Sequence, residues 1–136
     1  MGRFRVTIPV FQGGRIRGNI LEADALLKQR QQELADLHAK IDYDVRTARL
    51  DLKAASDQVE VAKSQLDLAQ QTLAQAQDRF AAGVVDNLEV VQAQDNVAAA
   101  NDAYISSLYA HNVSKVQLAR AVGVAEQAVM QYLGGR

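Results

Sequence analysis

From Ile41 onward, apolar residues fall at Ile41, Val45, Ala48, Leu52, Ala55, Val59, Ala62, Leu66, Ala69, Leu73, Ala76 and Phe80. The steps alternate between four and three, which is the 3.5-residue period of a left-handed coiled coil. Small and large residues also alternate: five alanines, Ala48 to Ala76, stand against Leu52, Val59, Leu66, Leu73 and Phe80. A column of alanines lets a second helix approach closely, and the larger residues interlock across it. Upstream, Ile20, Ala23, Leu27, Leu34 and Leu37 continue the stripe, with two steps of four at Leu37, Ile41 and Val45 that mark a stutter-like shift. The pattern predicts a helix from about Arg15 to Phe80. About 65 helical residues would extend on the order of 100 Å.

A second helical pattern runs from about Asn87 to Val122, with Val90, Val91, Val97, Ala98, Tyr104, Ile105, Leu108, Val116 and Ala119 on a broad face. Gly123 is its expected stop, followed by a short amphipathic piece, "AEQAVMQYL". Gln94, Asp95, Asn101 and Asp102 fall where a simple seam would want apolar residues. Two readings stay open for them: a helix with one wet face, or a face that lines water inside a larger tube.

Between the helices lies "RFAAGVVDNLEVV", which carries a turn signal on each side. Gly83 can take the left-handed conformation that closes a helix, with Val84 as the hydrophobic contact of a Schellman ending. Asp86 can cap the second helix, Glu89 completes a capping box, and Val85 with Val90 fits a hydrophobic staple. The expectation is a tight antiparallel hairpin with unequal arms. Ile20, Leu27 and Leu34 lie beyond the reach of the shorter arm, so something outside the hairpin must cover them.

The first residues follow another period. In "RFRVTIPVF", residues 3–11, Phe4, Val6, Ile8 and Val10 alternate with Arg3, Arg5, Thr7 and Pro9. That is a strand pattern, with Pro9 near its end or at an edge and Gly13–Gly14 as its break. One strand alone is not stable and would need partners. The fold expected is therefore all-α, a long coiled-coil hairpin preceded by a short β segment. The divisions expected are 1–14 (strand end and Gly-rich entry), 15–123 (hairpin, with its turn at 81–87) and 124–136 (short helix and tail).

Composition narrows the chemistry. The chain has 136 residues, 49% hydrophobic, with aromatics at 5% and no Trp. So much of the apolar content is alanine that thin layers of close helices fit better than a thick core. The formal net charge of −1 argues against a nucleic-acid surface. The absence of Cys removes disulfides, thiolate metal sites and thiol nucleophiles. His38 and His111 lie on different helices without ligand-spaced partners. The acid pairs Asp42/Asp44 and Glu33/Asp36 fit solvated helix faces. "GGRIRG" lacks the spacing of a phosphate loop, and Arg15 and Arg17 fit water or lipid headgroups. No catalytic constellation, metal site or cofactor is expected. No leader peptide is visible in "MGRFRVTIPV", and no apolar run is long enough for a membrane helix. As a complete protein the chain would be cytoplasmic; as a piece, its location is its parent's.

Three pieces, in order, carry a family resemblance. "IPVFQGGRIRG" is similar to a membrane strand entering a long helix through "P-[LIV]-[FY]-x-G-G". "RFAAGVVDNLEVVQAQ" resembles the periplasmic tip of the outer membrane factors, the TolC-like efflux and secretion channels. "HNVSKVQLARAVG" is similar to the end of their returning helix. The likeness covers nearly the whole chain and corresponds to part of the second of two repeats.

The resemblance implies a trimer with a β-barrel in the outer membrane and an α-helical barrel through the periplasm. Its partners would be a periplasmic adaptor and an inner-membrane pump. Strand 3–11 would belong to the barrel. Ala82, Gly83 and Val84 match the turn that contacts the adaptor. Phe80 falls where gate-forming relatives have Tyr, Val85 where some have Arg, and Gln92 where some have a second pore Asp. Glu89 keeps the acid, so a ring of Glu89 would give a negative constriction. Two other readings are the α-hairpin of a periplasmic adaptor and a cytoplasmic coiled-coil scaffold.

Overall fold

The computed structural model describes the backbone of residues 3–134 and the side chains of residues 14–133. It holds two helices: α1, Arg3–Ala81, and α2, Asn87–Gly134. They are 79 and 48 residues long, so the arms are unequal as expected. The chain divides into two units, residues 1–42 and residues 43–136.

Residues 3–11 are helical, and no strand occurs among the described residues. The period-two alternation predicted a strand. A strand without a neighbour leaves its backbone N–H and C=O groups without ladder partners, whereas a helix satisfies them internally. Without partner strands, helix is the better-satisfied state despite Pro9 and the glycines.

In the first unit, α1 exposes Ile16, Ile20, Leu27, Leu34 and Leu37. Its polar side chains support the helix locally: Gln29 Nε2 donates to Glu33 Oε1 at 3.4 Å and Gln32 Nε2 to Asp36 Oδ1 at 3.1 Å. Both are i, i+4 pairs, neighbours on one helix face.

The second unit is the hairpin. On α1, Ile41 borders it, and every seam position from Val45 to Ala76 is buried or half-buried. Ala48, Ala62 and Ala76 are the most enclosed, at 14-residue intervals, two heptads apart. Phe80, the last predicted seam residue, is 48% exposed because α1 ends one residue later.

The seam of α2 differs from the predicted broad face. Besides Glu89 and Gly123, the covered positions are Val90, Ala93, Val97, Ala100, Tyr104, Ser107, His111, Ser114, Leu118, Ala121, Ala125 and Ala128. Their steps alternate three and four without a break, so α2 mirrors the α1 heptad. Val91, Ala98, Ile105, Leu108, Val116 and Ala119 point elsewhere and are exposed. The reason is residue size. Every seventh position, from Ala93 to Ala128, is Ala or Ser, small enough for close approach but weakly hydrophobic. Ser107 satisfies its hydroxyl within the helix, donating to the Tyr104 carbonyl at 2.7 Å.

α2 also passes through Gly123, where a stop was expected, and continues to Gly134. A glycine costs a helix interior about 1 kcal/mol relative to alanine. After Ala121, Ala125 and Ala128 keep the seam going on its far side, and that continued packing carries the helix past it.

Both helices also carry large apolar residues on the face away from the seam, set among polar ones such as Asp57, Gln71, Asp95 and Asp102. On α1, Tyr43, Leu50, Val61 and Leu68 each stand two positions after a seam residue and are exposed. On α2, Tyr109, Val113, Val116 and Met130 do the same. Two residues turn a helix about 200°, so these residues lie opposite the seam. Shallow grooves of about 400 Å³ mark both, one around Val61 and Leu68 and one around Tyr109, Val113 and Val116.

Candidate functional site

The turn is built by backbone hydrogen bonds from its first residue. Ala82 N–H donates to the Asp78 carbonyl at 3.0 Å and completes the last α-helical bond. Gly83 N–H then reaches Phe80 at 3.0 Å, and Val84 N–H reaches back to Arg79 at 2.9 Å. This nested pair is the Schellman arrangement, and it requires a left-handed residue between the two donors. Gly83 supplies it with φ of +76°, a conformation that is cheap only for glycine.

The hydrophobic contact expected of Val84 has no apolar partner. The positions it would meet in this motif are Arg79 and Asp78, and Val84 is 71% exposed. The ending of α1 is therefore closed by its backbone alone and presents a bare valine.

On the α2 side, Asp86 Oδ1 accepts from the Leu88 N–H at 3.1 Å, an N-cap bond to the second helical residue. The return half of the capping box goes elsewhere. Glu89 Oε1 lies 2.9 Å from Arg79 Nη2 and bridges the two helices. Helix-end electrostatics favour both partners: Arg79 sits in the last turn of α1 and Glu89 in the first turn of α2. Val85 is half-buried and Val90 is buried with Ala76 and Ala93, against which Leu73 packs. These are the burial states a hydrophobic staple requires.

The candidate residues thus share one end of the hairpin. Ala82, Gly83 and Val84 are exposed on the turn, Phe80 precedes it, and Glu89 and Gln92 lie on the first turns of α2. Gln92 is exposed, as are Gln94, Asp95, Asn101 and Asp102 farther along. His111 is half-buried in the seam and His38 is exposed. Among the described residues, no group of three or more His, Cys, Asp or Glu could hold a metal ion. No described helix is long and apolar enough to cross a membrane.

Two features escaped the sequence reading. One is Arg79 as the partner of Glu89; its signal was its position as the one Lys or Arg between Lys63 and Lys115. The other is an open groove of about 480 Å³ at the hairpin's other end, lined by Val45, Arg49, Val122, Ala125, Glu126, Val129 and Met130.

A family model described as "outer membrane efflux protein" matches residues 2–124. No curated protein and no solved structure matches the chain significantly.

Proposed function

The chain belongs to the outer membrane efflux protein family, and we propose that it forms part of the periplasmic wall of a trimeric efflux or type I secretion channel. The family's members are channel proteins of the outer membrane, not enzymes. The observation that carries the reading is that each helix of the hairpin exposes large apolar residues opposite its buried seam. An isolated hairpin needs one stripe per helix. A helix standing as a stave in a closed wall has a neighbour on either side and needs two.

In that wall the outer stripe of α1 packs against the α2 stripe of an adjacent hairpin, and the reverse on the other side. Such head-to-tail contacts close into rings when the rotation permits. The turn, with Ala82, Gly83 and Val84 exposed, is the end that meets the periplasmic adaptor, and the adaptor connects to an inner-membrane pump. Phe80, Val85, Glu89 and Gln92 are then the residues nearest the constriction. Glu89 is the acid among them, and its pairing with Arg79 tempers the charge it contributes there. Residues 3–11 take up their period-two pattern as a strand where barrel neighbours supply the ladder.

The test is to purify the protein that carries this chain in detergent and place it in a planar bilayer. A conducting trimer supports the reading. A water-soluble monomer without conductance overturns it.

A further inference from the structure

The start of the chain is charged unlike the rest of it. Arg3, Arg5, Arg15 and Arg17 precede the first carboxylate, Glu22. Of the 15 Lys and Arg, these four fall before it, which leaves 11 against all 16 Asp and Glu for the remainder. Within this segment α1 carries Arg15, Ile16, Arg17, Ile20 and Leu21, all exposed, with Ile16 at 58%, Ile20 at 59% and Leu21 at 69%. At 3.6 residues per turn, Ile16 and Ile20 lie about 40° apart around the helix, one turn apart along it, and Arg15 and Arg17 fall about 100° to either side of Ile16. Two arginine stems therefore flank an apolar ridge, and Leu21 continues the apolar surface past Arg17.

We infer that this face docks on an anionic phospholipid surface, with Ile16, Ile20 and Leu21 entering the headgroup layer and Arg15 and Arg17 meeting its phosphates. The inference goes beyond the channel reading and does not depend on it. Two requirements select the occupant. The ridge has to leave water, and a phosphate backbone of nucleic acid offers it no apolar interior. The cations stand on both sides of the ridge, so anions must extend on both sides as well. A lipid surface meets both requirements, with a continuous layer of negative charge above hydrocarbon. The arginine stems lie along the apolar surface while their guanidinium groups stay at the level of the phosphates. Glu22 and Asp24 set the limit of the docked face, because carboxylates are repelled by the same headgroups.

The test is co-sedimentation of the full 136-residue chain with vesicles of phosphatidylglycerol and phosphatidylcholine, beside vesicles of phosphatidylcholine alone. Binding is expected to the anionic vesicles only, and to weaken as salt shortens the Debye length. Arg15→Gln with Arg17→Gln should weaken it roughly 25-fold, about fivefold for each arginine near the surface. Arg49→Gln with Lys53→Gln removes the same charge far along α1 and should change binding by less than about twofold. Ile16→Gln with Ile20→Gln leaves the charge as it is and should abolish binding, with helicity by circular dichroism the same in every variant. Equal binding to the two vesicle types, or binding to neither, overturns the inference. So does an Arg49/Lys53 loss as large as the Arg15/Arg17 loss, because net charge alone would then be acting. Binding to a DNA duplex or to polyglutamate as tight as to the anionic vesicles also overturns it, since the ridge would add nothing and any polyanion would serve. The result is separable from the bilayer experiment: a chain that ignores these vesicles leaves a conducting trimer standing, and a non-conducting protein leaves this lipid-facing surface standing.

Discussion

The two apolar stripes of the hairpin are written in different residues. The buried one alternates small and larger side chains, and its most enclosed members are nearly all small: Ala48, Ala62, Ala76, Ala93, Ser107 and Ser114, beside Val90. The opposite one sets large apolar side chains, Tyr43, Leu50, Leu68, Tyr109 and Met130, among polar residues, and those large side chains are exposed. Hydrophobic stabilisation scales with apolar area removed from water, so the larger unspent gain lies outside the hairpin. The small seam sets the distance between the two helices. The large outer stripes are left for neighbours.

The comparison breaks most sharply at the seam. Ala76 is 1% exposed and packs with Val90 and Ala93. Ala76→Leu should force the helices apart and cost about 1–3 kcal/mol, the range for overpacking a filled site. Urea unfolding followed by circular dichroism measures it. Unchanged stability would mean that close approach is not what the alanine column provides.

The turn comes next. A Cβ at Gly83 would meet nothing within 4 Å, so Gly83→Ala tests conformation free of steric clash. Holding alanine at positive φ costs about 1–2 kcal/mol. A smaller loss would show that the Schellman bonds can relax. Asp86→Ala should cost about 1 kcal/mol through loss of the bond to the Leu88 N–H, with Asp86→Asn restoring most of it.

How far this hairpin could be read from sequence depended on which force wrote each part. The α1 seam was legible because leucines and valines alternate with its alanines. The α2 seam was obscured because Ser107, His111 and Ser114 occupy positions that a hydrophobic scan discards, while Ile105 and Val116 attract it to the wrong face. The turn was legible at Gly83 and Asp86, where backbone geometry demands particular residues. It was misread at Val84, whose supposed partners Arg79 and Asp78 are not apolar. It was half misread at Glu89, which found a cation across the turn in place of the backbone N–H at its own helix start. Residues 3–11 carry a period that only a neighbouring strand could use, so the isolated chain adopts a different structure there. Gly123 was read by its local preference, and continued packing overrode it.

The smallest effect on stability is the most informative one for function. Leu68 and Val113 lie on the two outer stripes, exposed at 63% and 36%. Leu68→Gln and Val113→Gln should change the unfolding free energy of the hairpin by no more than about 0.5 kcal/mol, because surface substitutions away from packed features do little. If these stripes are the contacts between staves, the same variants should weaken association strongly, since each removes an apolar residue from a repeated interface. Sedimentation of wild type and variants at matched concentrations separates the two roles. Lower association with unchanged helicity assigns the outer stripes to assembly. Unchanged association would leave the large residues of the outer face without the role that distinguishes them from the seam. Loss of helicity would mean that the face called outer also holds the hairpin together.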